Sequence, residues 1–203
     1  MIVILDYGIG NLSSIRNMLK KAGSSQVLIS SNPTDVETAE KIILPGVGHF
    51  EHCMTQLQKA PFFEVLKKRV LEDKVPLLGV CVGHQMLFEH SEEGDCAGLG
   101  WIPGRVRRFN KSNMDERLKI PHMAWTDVNV TPGATLFNGL EQPRFYFVHS
   151  YHAECDSQYV TATAHYGYDF VAAVGRENIQ GVQFHPEKSH RFGMQVYRNF
   201  IQS

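Results

Sequence analysis

The stretch Val75-Pro76-Leu77-Leu78-Gly79-Val80-Cys81-Val82-Gly83-His84-Gln85-Met86-Leu87-Phe88 joins an apolar strand to a helix with a single residue between them. Residues 75–80 read as a buried strand, and the helix that follows carries Met86, Leu87 and Phe88. Glycine stands two positions before Cys81 and two after it. This Gly-x-Cys-x-Gly spacing is that of a nucleophile elbow with cysteine in place of serine.

Outward from this stretch, the N-terminal half alternates apolar runs with helical patterns. Residues 2–5 read as a first strand, 26–30 as a second and 41–44 as a third, stopped by Pro45-Gly46. Helices are expected over about 12–22, with Leu12, Ile15, Met18, Leu19 and Ala22 on one face, and over about 50–58 and 62–72. Strand, helix, strand in this order predicts an α/β fold: a doubly wound, mostly parallel central sheet with helices on both faces. From about Gly104 the pattern changes to short strand-like segments, at 128–131, 145–149, 159–164, 171–174 and 180–184. A last helix is expected over about 189–201. The second half thus adds antiparallel strands to the same sheet or beside it. There is no repeat, low-complexity tract or linker, so residues 1–203 read as one domain. Ligands of parallel sheets bind at the carboxyl ends of the strands, so the turns after Leu5, Leu44 and Val80 are expected to lie close together.

Composition narrows the class of function. Of the 203 residues, 43% are hydrophobic and 20% charged, enough for a real core. Lys plus Arg number 20 against 21 Asp plus Glu, a net charge of -1 that gives no general grip on nucleic acid or an anionic membrane. No apolar run approaches the roughly 18 residues that span a bilayer. Met1-Ile2-Val3-Ile4-Leu5-Asp6 lacks the basic region and cleavage site of a signal peptide, so a cytoplasmic protein is expected. The cysteines Cys53, Cys81, Cys96 and Cys155 form no CxxC pair and support neither a zinc site nor a disulfide framework. No cofactor is expected. Gly8-x-Gly10 and Gly46-x-Gly48 do not extend to G-x-G-x-x-G, and no phosphate loop is present. No metal is expected either, because His49-x-x-His52 and His149-x-x-His152 lack the companions of a metal site. Arg105-Val106-Arg107-Arg108 with Lys111 reads as alternating solvated residues on a strand.

Burial in a core is the ordinary fate of a free thiol. The elbow argues for a different role, because a tight turn strains the central residue and lifts its side chain clear of the sheet. The flanking glycines let strand and helix approach without Cβ clashes. The helix N-terminus beyond it favours a thiolate. A nucleophilic thiol needs a base, and the base needs an orienting group. His185 has the best setting, after the strand Gln180-Gly181-Val182-Gln183-Phe184 and before Pro186-Glu187. In extended backbone, residues i and i+2 point the same way, so Glu187 can reach one imidazole nitrogen and leave the other to the thiol. The N–H of Val82 is one candidate donor for an oxyanion. A second can come from Val47 or Gly48 in the turn Pro45-Gly46-Val47-Gly48, which read alone is equally an ordinary strand-ending turn.

Together, Gly79-x-Cys81-x-Gly83-x-Gln85, Pro45-Gly46-Val47-Gly48 and His185-Pro186-Glu187 resemble the class I (triad) glutamine amidotransferases, in the family's order. Asp6-Tyr7-Gly8-Ile9-Gly10-Asn11-Leu12-Ser13-Ser14 looks like the glutaminase subunits of imidazole glycerol phosphate synthase. So do Pro121-His122-Met123-Ala124-Trp125, Tyr146-Phe147-Val148-His149-Ser150-Tyr151 and Phe184-His185-Pro186-Glu187-Lys188-Ser189. The resemblance implies that Cys81 attacks the side-chain amide of L-glutamine and forms a glutamyl thioester, with His185 moving protons and Glu187 orienting it. It implies an oxyanion held by Val82 with Val47 or Gly48, and substrate contacts from Gln85, His149, Ser150 and Tyr151. It implies delivery of ammonia to a (β/α)8 cyclase subunit in a heterodimer, with Asn11, Trp125 and Lys188 near the interface. The chain departs from the family at Ala124 and Thr126, usually Gly and Asn, and at His84, where Met is common. None of these belongs to the triad.

The same three-residue logic would serve a peptidase-like hydrolase or the glutaminase of another class I amidotransferase. Residues 6–14 speak against the anthranilate synthase and pyridoxal phosphate synthase types.

Overall fold

The first half is built on β1 (Ile2–Leu5), α1 (Leu12–Lys21), β2 (Val27–Ser30), α2 (Pro33–Glu37), β3 (Lys41–Leu44), α3 (Phe50–Lys59), α4 (Phe63–Leu71) and β4 (Leu77–Val80). β1 and β4 are buried throughout, and β3 all but its first residue, as parallel strands covered on both faces must be. β4 passes through Cys81 into α5 (Val82–Gln85). There follow β5 (His90–Ser91), β6 (Cys96–Ala97), β7 (Arg105–Arg108), β8 (His122–Val130), β9 (Arg144–His149), β10 (Tyr151–Glu154), β11 (Val160–Tyr166), β12 (Tyr168–Arg176), β13 (Ile179–Val182) and α6 (His190–Gln202). The computed structural model describes residues 1–203.

Five strands run parallel in the order β2-β1-β3-β4-β13. Beyond β13 the sheet turns antiparallel through β12, from which β10 and β7 continue it on one side and β11, β8 and β9 on the other. The antiparallel strands of the second half therefore extend the same sheet. α1 packs on α6, while α2 and α3 pack on α4. The crossover from β1 to β2 runs one way along the sheet and those from β2 to β3 and from β3 to β4 run the other, so right-handed connections put these two groups on opposite faces. β13, the last strand, lies beside β4 with Val182 opposite Val80, and the Cys81 N–H donates to the Val182 carbonyl at 2.9 Å. That pairing brings the two ends of the chain's chemistry to one edge.

Two local expectations change, and one helix is added where none was expected. The helix predicted through Phe88 stops at Gln85. The carbonyls of Met86, Leu87 and Phe88 are taken instead by the N–H groups of Leu99, Trp101, Ile102 and Gly100, which wrap beneath the elbow. α2 is a five-residue helix without a readable apolar face, started by Pro33 and capped by the Asn32 side chain on the Thr34 N–H at 3.0 Å. β8 begins at His122, six residues before the expected strand at 128, and has a mainly exposed outer face that hides its length from a hydrophobicity reading. The basic run on β7 is offset by acids: Arg105 pairs with Glu154 at 2.8 Å and Arg107 with Glu92 at 3.0 Å.

His84 is fully buried, with both ring nitrogens unpartnered, edge-on to Phe88 at 5.4 Å. Burial pushes its imidazolium down to about 3, and that of buried His122 down to about 4. Unfolded histidine titrates near 6.5, so the unfolded chain takes up protons that the folded chain refuses as the pH falls below that value. This share of the stability is full above pH 6.5 and is lost toward acid, at about 2 kcal/mol per such histidine by pH 5. His84→Met is expected to raise the midpoint of urea unfolding and to flatten its fall between pH 6.5 and 5. An unchanged acid slope would show that His84 does not carry this linkage.

Candidate active site

Cys81 has φ 56° and ψ -112°, a conformation that costs a non-glycine residue on the order of 1–3 kcal/mol. Main-chain contacts around it hold the strain. A Cβ on Gly83 would stand 2.0 Å from the Leu44 carbonyl oxygen, one on Gly46 would stand 2.2 Å from the Gly83 nitrogen, and one on Gly79 would stand 2.7 Å from the Gly83 oxygen. Three glycines thus let the ends of β3 and β4 touch α5 backbone to backbone. Since α5 is a single turn, it lacks the aligned peptide dipoles of the longer helix expected there.

His185 lies past the end of β13, beside the elbow. Its Nδ1 donates to Glu187 Oε1 at 2.8 Å, and both side chains are 4% exposed. The pairing matches the expectation, but the backbone does not: Pro186–Lys188 form a 3-10 turn, and it is this turn, not an extended chain, that folds Glu187 back under the ring. Pro186 opens the turn, where a missing N–H costs nothing. The His185 main chain is held on two sides, its N–H on the Tyr146 carbonyl at 3.0 Å and its carbonyl accepting from Ser189 Oγ at 2.6 Å. Burial pushes the His185 imidazolium down. The negative charge and hydrogen bonding of Cys81, with the hydrogen bond and charge of Glu187, more than offset it and raise the value to about 10.

Cys81 and His185 face a cavity of about 290 Å³, which Val47, Gly48, Val82, Gln85, His149, Ser150, Tyr151 and Lys188 also line. These are the residues expected for nucleophile, base, oxyanion and substrate contacts, together with one expected at a partner surface. Glu187 stands behind His185 as its hydrogen-bond partner. Asn11 and Trp125 lie outside the cavity. Asn11 caps α1 through a bond from the Ser14 N–H at 3.4 Å. Trp125 on β8 is 37% exposed, stacks on His190 at 5.4 Å and meets Tyr146 edge-on at 6.3 Å, while Lys188 Nζ lies 5.8 Å above the same Tyr146 ring.

The floor is a polar network. Gln85 Nε2 donates to the Tyr151 carbonyl at 2.9 Å and to Gln183 Oε1 at 3.0 Å, and Gln183 Nε2 points at Cys81 Sγ from 4.0 Å. The Tyr151 carbonyl is also within 2.8 Å of His149 Nδ1. A carbonyl only accepts, so His149 carries its proton on Nδ1, and its Nε2 accepts from His122 Nδ1 at 3.0 Å. His122 Nε2 in turn accepts from Thr126 Oγ1 at 2.8 Å. Burial keeps both rings neutral.

Two lining or neighbouring residues escape a reading of the sequence. Glu93 sits in a loop without periodic signal, yet its carboxylate borders the cavity and accepts from the Phe50 N–H at 2.9 Å. Gln183 carries a usable signal, a polar residue between Val182 and Phe184 two positions before His185, and the structure buries it fully.

Of the candidate oxyanion donors, Val82 is engaged: its N–H donates to the Gly46 carbonyl at 3.3 Å. Gly48 has φ +97°, a region open to glycine.

The Glutamine amidotransferase class-I family matches residues 3–203. The chain is 49% identical over 202 residues to the imidazole glycerol phosphate synthase subunit HisH of Leptospira borgpetersenii, covering 98% of both chains. It is 47% identical over 204 residues to imidazole glycerol phosphate synthase subunit HisH 2 of Pseudomonas aeruginosa, covering 100% of this chain and 99% of the other. A solved glutamine amidotransferase superposes with a TM-score of 0.76 at 19% identity over 100% of this chain and 98% of that one, a likeness of fold alone. No helix is long and apolar enough to cross a membrane.

Proposed function

The chain belongs to the class-I glutamine amidotransferases, in the family of imidazole glycerol phosphate synthase subunit HisH, the glutaminase of histidine biosynthesis, and from that premise we propose how its residues divide the work. Residues 1–203 act as one amidotransferase domain. Cys81 Sγ attacks the side-chain amide carbon of L-glutamine while His185 holds the thiol proton. His185 returns that proton to the leaving nitrogen, ammonia departs, and a glutamyl thioester remains on Cys81. Water deprotonated by His185 then attacks the thioester, releasing glutamate and restoring the thiol. Glu187 keeps the Nδ1 proton directed away from the sulfur and stabilises the imidazolium. The observation that carries this reading is the meeting of a strained, cavity-facing Cys81 with an imidazole raised to about 10 at the ends of two adjacent strands.

Substrate recognition follows from charge and shape. The cavity is small for a drug-sized ligand and in keeping with a single amino acid. The Glu93 carboxylate offers a partner for the ammonium of glutamine, and Gln85 with the main chain of His149, Ser150 and Tyr151 supplies the fixed hydrogen-bonding wall.

The hydrogen bond between Val82 and Gly46 supports a site that rests in a closed state. Rotation of the Gly46–Val47 peptide withdraws the carbonyl, frees the Val82 N–H and turns the Val47 N–H toward the substrate, with Gly46 absorbing the change in backbone angle. Docking of a (β/α)8 cyclase subunit on the rim marked by Asn11, Trp125 and Lys188 drives that rotation in a heterodimer, and the partner receives the ammonia. The test is glutamate release by the chain alone and with the cyclase subunit and its nucleotide ligand. Addition is expected to raise the rate by at least about 10²–10³-fold, the worth of a single oxyanion donor, since the rotation supplies two. A full rate without the partner, or no response to it, contradicts the reading.

A further inference from the structure

The turn between β3 and α3 is held by three donors of different kinds. The Tyr7 hydroxyl, just past β1, donates to the Pro45 carbonyl. The Val82 N–H donates to the Gly46 carbonyl at 3.3 Å. The Cys53 thiol, in the first turn of α3, donates to the Val47 carbonyl at 3.4 Å. Tyr7 and Cys53 are buried, at 7% and 0% exposure, and neither touches the cavity. Two successive side-chain clamps therefore grip the peptides on either side of Gly46–Val47. The middle peptide is tied only to the main-chain N–H that catalysis must release.

We propose that Tyr7 and Cys53 are positioning residues that confine the opening of the oxyanion site to the single peptide Gly46–Val47. This deepens, and rests on, the closed-state reading given above. With the Pro45–Gly46 and Val47–Gly48 planes fixed, rotation of the middle peptide has one outcome, the Val47 N–H presented beside Cys81. With a clamp removed, the glycine-rich turn spreads over several arrangements, of which only one is productive. Gly46 cannot move bodily to compensate, because it lies against the Gly83 backbone. Both clamps stay protonated donors at neutral pH. Burial and the nearby charges push Cys53 up to about 11, and burial raises Tyr7 well above its ordinary value.

The experiment measures glutamine kcat and KM in the complex with the cyclase subunit and its nucleotide ligand, for the wild-type chain, Cys53→Ala, Cys53→Ser and Tyr7→Phe. Losing one such hydrogen bond, at about 1 kcal/mol, is expected to lower kcat about fivefold in Cys53→Ala and Tyr7→Phe, with KM unchanged. Cys53→Ser restores a donor and is expected to recover most of the rate. Simple packing predicts the reverse order, since a buried hydroxyl fits an apolar site worse than a methyl group does. Tyr7→Phe keeps the ring and so stands in if Cys53→Ala fails to fold. Wild-type rates in both Cys53→Ala and Tyr7→Phe, or a serine variant no better than alanine, overturn the proposal. A wild-type chain that does not respond to the partner overturns the closed-state reading itself, which keeps the two failures apart.

Discussion

Cys81→Ala is expected to lower glutamine hydrolysis by at least about 10⁴-fold while ammonia-fed synthesis in the complex with the cyclase continues. The size follows from the role: without the sulfur there is no thioester, and only substrate binding and oxyanion stabilisation remain. The selectivity follows from the geometry, since Cys81 serves a cavity in this chain and the cyclisation belongs to the partner. His185→Asn should cost about as much, and the double variant little more, because nucleophile and base act as a unit. The check is parallel assay of glutamate release and of product formed from an ammonium salt. Loss of the ammonia-fed reaction in a folded Cys81→Ala complex would contradict this division of labour.

Gly83→Ala is expected to be the most damaging single methyl in the elbow. Its Cβ would lie 2.0 Å from the Leu44 oxygen and 2.9 Å from the Leu44 carbonyl carbon, both main-chain atoms of a fully buried residue. No side chain can turn aside to make room, so β3 and α5 must separate, at a cost of about 3 kcal/mol or more. For a chain of this size that is a fall in Tm of about 10 °C, and the displaced Cys81 would lose activity with it. Gly175→Ala is the matched control, since its Cβ would meet only the Thr161 methyl at 3.1 Å. Equal Tm values for the two variants would show that the backbone contact does not limit the fold.

The parts of the molecule legible in the sequence are those written in contiguous residues. The strands at 2–5, 41–44 and 77–80 announce themselves because both faces are buried, leaving unbroken apolar runs. The elbow is legible because only glycine fits where a Cβ would stand 2.0–2.7 Å from main-chain atoms around Cys81. The site around it is harder to read where distant segments decide the outcome. Met86, Leu87 and Phe88 look helical, but their carbonyls belong to residues 99–102. Glu187 reaches His185 through a 3-10 turn whose geometry depends on α6 pressing in, a Cβ on Gly193 standing 1.8 Å from the Pro186 oxygen. Glu93 becomes part of the cavity wall only because β5 and β6 carry its loop against α3. The orientation of the Gly46–Val47 peptide is invisible in residue identity, since glycine permits both states.

The most direct measurement is covalent labelling by a glutamine-analogue electrophile in the presence of the cyclase subunit and its nucleotide ligand, with the modified peptide located by mass. The account predicts one adduct on Cys81, suppressed by excess glutamine and absent in Cys81→Ser. An adduct on Cys53, Cys96 or Cys155 instead, or an unlabelled Cys81 in a complex that still releases glutamate, would contradict it.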